Sequence, residues 1–149
     1  MELWELVARE QIRETVAAYA HCADTGRFEE LVTLFTDDGV LETDGEQSRG
    51  RAAIRAFLAG TGTALAEATT RPLIRHHVSN LRITVASQDE ATGSAYFFVV
   101  TSRGPDHWGR YRDVYACAGD RWLFRHRRVR LDGYAPNSWV AERRRGGAG

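Results

Sequence analysis

Lysine is missing from the chain: all 20 basic residues among its 149 are arginine, and 20 acidic residues balance them to zero net charge. Without a lysine amine, Schiff-base chemistry is excluded. Charge balance also argues against a nucleic-acid binder. Arg121, Arg125, Arg127, Arg128 and Arg130 cluster locally, but strand alternation would divide them between two faces. Cysteine is scarce. Cys22 and Cys117 lie far apart with no CxxC, which suggests neither a zinc site nor a disulfide framework, only buried thiols in a reducing cytoplasm. No HxH or HxxxH spacing points to a metal, and no GxGxxG, P-loop or GxSxG points to a nucleotide or a nucleophile elbow. No apolar run is long enough to span a membrane, and Met1 to Glu5 lacks a basic region followed by an apolar stretch. A cytoplasmic protein without cofactor, metal, nucleic-acid or membrane partner is expected.

The length and the 43% apolar content suit one domain with a substantial core. Leu3, Leu6, Val7, Ile12, Val16, Tyr19 and Ala20 recur at helical spacing and predict a helix from residue 3 to about 22. Asp24-Thr25-Gly26 breaks it. A short helix is expected from Phe28 to Phe35, a turn at Thr36 to Gly39, and a strand from Val40 to Thr43. A third helix runs from Arg51 to Leu58 and resumes at Ala64 to Ala68. After Pro72 the pattern turns to strands: about 74 to 86, 91 to 102, 108 to 117 and 122 to 131, with Ala118-Gly119-Asp120 as a hairpin connection. Residues 1–132 form the domain. Residues 133–149 form a tail in which Trp139 covers a pocket mouth and the end from Arg143 is disordered. Helices followed by antiparallel strands make an α+β fold, a curved sheet wrapped over a helix to enclose a pocket.

The first long strand carries His76 and His77. Strict alternation places His76, Val78 and Asn80 on one face and His77, Ser79 and Leu81 on the other, so one histidine must enter the interior. His76 is the expected one, although a bulge would exchange the pair.

Several segments in order, Tyr19-x4-Asp24, Leu34-Phe35-x-Asp37-Asp38-Gly39-Val40, Gly50-Arg51-x2-Ile54-x2-Phe57, His76-x-Val78-x-Asn80, Gly109-Arg110-Tyr111-x-Asp113 and Trp122-x-Phe124-x2-Arg127-x-Val129, resemble the SnoaL-like branch of the NTF2-like superfamily. The resemblance covers about residues 8 to 132. It implies a cone with N-terminal helices on a curved, mostly antiparallel sheet, and a homodimer or homotrimer. The reaction is less constrained, since this fold hosts dehydratases, isomerases, cyclases and non-catalytic subunits. By residue type the chain is similar to scytalone dehydratase and bile-acid 7α-dehydratase. That implies catalytic Tyr19, Asp24 and His76, with the second strand histidine of scytalone dehydratase not evident near Tyr96, Phe97 and Phe98.

Histidine works as a base near neutral pH, and a carboxylate can orient it. Asp24 could fill that role or be ordinary turn chemistry. Tyr19 could stabilise an enolate or simply be a core aromatic with its hydroxyl at the rim. Asn80, Tyr96, Phe98, Tyr111, Asp113, Arg127 and Trp139 complete the candidate substrate-binding set, with Asp113 and Arg127 read first as a structural ion pair. His21 and His126 are expected at the surface or the pocket rim. Two functions follow. One is a cofactor-independent lyase or isomerase acting on a hydrophobic, polycyclic or aromatic small molecule. The other is a non-catalytic binding or assembly module like a dioxygenase β subunit.

Overall fold

A computed structural model describes residues 1–68 and 73–147. Helix α1 spans Leu3–Thr25, and its buried side repeats Ala8, Ile12, Thr15, Val16, Tyr19 and Ala20 at helical spacing. Leu3, Leu6 and Val7 continue the apolar pattern but remain exposed. The helix runs past Cys22 and stops at Gly26. Its left-handed φ of 70° lets the Arg27 N–H reach the Cys22 carbonyl at 2.9 Å. Asp24 therefore lies in the last helical turn, not in a returning loop. Helix α2 is only Phe28–Val32, and α3 runs unbroken from Arg51 to Ala68, through Gly60 and Gly62.

The strands among the described residues are β1 (Phe35–Thr43), β2 (Glu46–Arg49), β3 (Ile74–Val85), β4 (Glu90–Thr101), β5 (Gly104–Ala118) and β6 (Arg121–Tyr134). They form one sheet in the order β2-β1-β6-β5-β4-β3, in which only β1 and β6 run parallel. The fold is thus the expected helix-on-sheet α+β architecture. Strand β2 was not anticipated. Asp44 and Gly45, at φ 51° and 83°, make the two-residue positive-φ turn that joins it to β1, a signal the Asp-Gly pair carries in the sequence. Helix α4, Trp139–Gly146, replaces the disordered end expected from Arg143; the last two positions of that expectation lie outside the described residues. Ser138 caps it, accepting the Ala141 N–H at 3.0 Å.

Two bulges decide which side chains face inward. Between the Ser79–Tyr96 and Arg82–Ser94 pairs, β3 advances three residues while β4 advances two. Asn80 sits at that bulge with φ 56°. Beyond it the parity switches, so Leu81, Ile83 and Val85 join Val78 against the main core. On β5, the pairs Val99–His107 and Val100–Pro105 leave Asp106 as the extra residue.

Among the described residues, Asp113 and Arg127 form an ion pair with both side chains fully buried. Arg127 donates from Nε and Nη2 to the two Asp113 oxygens, both at 2.9 Å, and the Tyr115 hydroxyl donates to Asp113 at 2.8 Å. Rings of Tyr19, Tyr111 and Phe124 pack around the guanidinium, their centroids 4.3, 3.8 and 4.3 Å away.

Candidate active site

A carboxylate in the last turn of a helix opposes the helix dipole, so Asp24 is locally unfavourable unless something compensates it. Strand β3 supplies the compensation. The His76 backbone N–H donates to both Asp24 oxygens at 3.1 Å, and the ring Nδ1 lies 2.6 Å from Oδ1. An ionised carboxylate only accepts, so Nδ1 carries the proton and Nε2 is left as the free ring nitrogen. Both side chains are largely buried, with 15% and 11% exposure.

His76 lines an open cavity of about 750 Å³ bordered by the sheet, α3, the β1–β2 turn and α4. Leu41, Phe57, Phe97, Val129, Leu131 and Trp139 supply apolar wall, while Asp44, Glu46, Arg143 and Arg144 are charged residues at its rim. The volume is that of a small-molecule site. Tyr19 and Tyr111 reach the same cavity. Burial raises the pKa of both phenols, against the opposing pull of the Arg127 charge, so each stays a protonated donor at neutral pH.

The sequence reading missed His107. It lines the cavity, and its Nδ1 lies 2.7 Å from Asp106 Oδ2, so it repeats the histidine–carboxylate arrangement of His76 and Asp24. Burial lowers its pKa below the ordinary 6.5, against the raising effect of Asp106, and the charge of His76 lowers it further. The signal was present. Tyr111, Asp113 and Tyr115 face inward at every second residue, and the same parity extended back along β5 passes through Gly109 to His107.

Other expected residues lie elsewhere. Asn80 does not line the larger cavity. The bulge exposes it, and it lines a groove of about 600 Å³ between α1 and β3, which His76 and Asp24 also line. Tyr96 and Phe98 are exposed at 57% and 39%, because β4 alternation sends Phe97 inward in their place. Asp113 and Arg127 are buried behind Tyr19 and Tyr111 and are not part of the cavity wall. Trp139 is buried and lines the cavity. His77 faces away, next to Phe98. His126, expected at the surface or the pocket rim, pairs through Nε2 with Glu42 at 2.9 Å. Among the described residues, no three His, Cys, Asp or Glu side chains are gathered as a metal site, and no helix is long and apolar enough to cross a membrane.

The family model of the SnoaL-like domain matches residues 4–128. The chain belongs to the SnoaL-like family. Its structure is similar to that of a proposed scytalone dehydratase from Novosphingobium aromaticivorans, with TM-score 0.79 and 25% identity over 91% of each chain. An NTF2-like protein with a cystatin-like fold from the same species shares 31% identity at TM-score 0.75, covering 87% of this chain and 86% of that one. ActVI-ORFA from Streptomyces coelicolor, at 21% identity and TM-score 0.74 over 86% and 97% of the two chains, shares the fold. No curated protein matches the sequence.

Proposed function

We propose that this SnoaL-like protein is a cofactor-independent lyase or isomerase for a hydrophobic, aromatic or polycyclic carbonyl compound. The observation that carries the reading is the short Asp24–His76 pair, whose histidine lines an open cavity of mixed apolar and polar wall. His76 Nε2 takes the proton from the carbon next to the substrate carbonyl, and Asp24 stabilises the imidazolium that results. The electron pair moves onto the carbonyl oxygen, where the Tyr19 and Tyr111 hydroxyls donate hydrogen bonds to the enolate. When the enolate collapses, the β-carbon–oxygen bond breaks and His76 returns its proton to the departing hydroxyl. Water leaves and the imidazole is neutral again. His107, neutral because burial depresses its pKa, accepts a hydrogen bond from that hydroxyl through Nε2 and aligns it. Return of the proton to a more distant carbon would instead give a double-bond isomer with the same groups, and the same enolate serves an aldol-type cyclisation.

A scaffold role has no use for an ordered His–Asp pair facing an open cavity, which weighs against the non-catalytic alternative. The test is turnover of aromatic β-hydroxy ketones. Scytalone, the compound in the name of one structural neighbour, is the first probe. His76→Ala is expected to lower kcat by about 10²–10⁴-fold in a protein that remains folded by circular dichroism. A His76→Ala protein that works at the wild-type rate would overturn the reading.

A further inference from the structure

Asp106 is fully buried, and it divides its carboxylate between the cavity-lining His107 and the C-terminal helix. Oδ2 meets His107 Nδ1 at 2.7 Å, while Oδ1 accepts the Trp139 backbone N–H at 2.8 Å and the Thr101 hydroxyl at 3.3 Å. Its own carbonyl accepts the Ala135 N–H at 2.8 Å. The β5 bulge makes this possible, because Asp106 is the extra residue there and its side chain can turn inward beside that of its neighbour. Trp139 is the first residue of α4, so the carboxylate also sits at the positive end of that helix. The indole forms part of the cavity wall, with Arg143 stacked on it at 4.9 Å.

We propose that Asp106 is a positioning residue that makes the docking of α4 and the tautomer of His107 a single event. The importance of that tautomer rests on the reading above, in which His107 acts through Nε2; the coupling itself does not. The helix amide and Thr101 both donate to one oxygen, and a carboxylate so engaged can only accept at the other. His107 must then carry its proton on Nδ1 and present a bare Nε2 to the cavity. Release of α4 removes a donor from the buried carboxylate, loosens its orientation, and frees the imidazole to exchange tautomers. The cavity wall and the polar group it encloses would therefore be set together when α4 closes.

An amide separates the two duties, since Asn at 106 cannot accept from both partners. The probe is the imidazole nitrogen spectrum of full-length, ¹⁵N-labelled protein at about pH 8, where histidine is neutral. No substrate is needed, so the outcome is independent of whether the protein proves to be a lyase. His107→Gln assigns the signals. Wild type is expected to show His107 protonated at Nδ1 and bare at Nε2. In Asp106→Asn, these two positions are expected to exchange, because Oδ1 stays with the Trp139 amide and the new NH₂ faces the ring.

A second pair of variants addresses the helix side. Ser138 has φ −74° and ψ 160°, the extended conformation a residue before proline requires, and proline is accommodated at the first position of a helix. Trp139→Pro therefore deletes the donated N–H, while Trp139→Ala deletes only the indole. Trp139→Ala is expected to keep the single wild-type tautomer, and Trp139→Pro to show both. The inference is overturned if Asp106→Asn keeps the Nδ1–H form, or if Trp139→Pro and Trp139→Ala give the same His107 nitrogen positions.

Discussion

The Asp113–Arg127 pair can be tested without knowing any substrate, because its consequences are thermodynamic. Both side chains are fully buried. Asp113→Asn conserves shape and keeps an acceptor for Arg127, so no cavity forms and the loss is one of charge. Arg127 cannot escape by losing its proton. In the wild type the adjacent Asp113 raises its pKa well above the arginine norm against the effect of burial. With that carboxylate gone burial acts alone, but a guanidinium is so weak an acid that it keeps its proton at neutral pH. Its Nη1 already has no hydrogen-bond partner among the described residues and is held by the surrounding rings. Stranding such a cation costs about 3–5 kcal/mol, which for a domain of this size lowers Tm by about 6–20 °C. Urea unfolding followed by tryptophan fluorescence and circular dichroism measures it. Replacing the partner as well, in Asp113→Asn/Arg127→Met, removes the stranded charge and leaves a side chain that packs on Tyr19, Tyr111 and Phe124. The double variant is then expected to be more stable than Asp113→Asn alone. An Asp113→Asn cost under about 1 kcal/mol, or a double variant whose loss equals the sum of the singles, would refute the argument.

Gly109→Ala should be among the most damaging small substitutions. An added Cβ would lie 2.0 Å from the Arg130 carbonyl oxygen and 2.8 Å from the Phe97 ring, and a loss of at least about 3 kcal/mol is expected in urea melts. A variant within about 1 kcal/mol of wild type would show that the β5–β6 backbones separate easily. His107 should make the protein less stable in acid. Its folded pKa lies below the ordinary 6.5, so the unfolded chain takes up that proton first and stability falls as pH drops below that value. Melts across that range should show a shallower slope for His107→Asn than for wild type, and equal slopes would contradict the burial argument. Asp24→Asn presents an NH₂ group to His76 Nδ1 and forces the proton to Nε2, so kcat on a working substrate should fall by about 10²–10⁴-fold. Retention of wild-type kcat would remove Asp24 from the mechanism.

Several features were legible in the residues because local periodicity carries them. The apolar spacing of α1, the strand character of the chain from Ile74 to about Leu131, and the approach of Asp24 to His76 all follow from pattern or from the family motif. The facing of Tyr111, Asp113 and Tyr115 toward one side follows from alternation alone. What alternation could not supply were the places where it breaks. The β3 bulge keeps His76 and Val78 inward, exposes Asn80, and returns Leu81, Ile83 and Val85 to the core, although the apolar residues switching parity after Val78 already marked it. The inward choice on β4 was also tertiary, because Tyr96, Phe97 and Phe98 are alike in apolar character and only the register with β5 selects Phe97.

His107 and Asp106 show the same division. His107 follows the inward parity of Tyr111 and was legible, but Asp106 is the extra residue of a bulge in a long-range pairing, and only that bulge brings its carboxylate to the His107 ring. Helix α4 reads as a charged tail, with apolar content too low to predict docking. Its order comes from the Ser138 cap, from Trp139 entering the cavity wall, and from an Asp106 carboxylate more than thirty residues earlier in the chain. The sequence by itself determined which elements form and the helix-on-sheet class they build, because those depend on neighbours three or four residues apart. The composition of the cavity was decided by strand register and by the closing of α4, contacts between distant residues that no local pattern encodes.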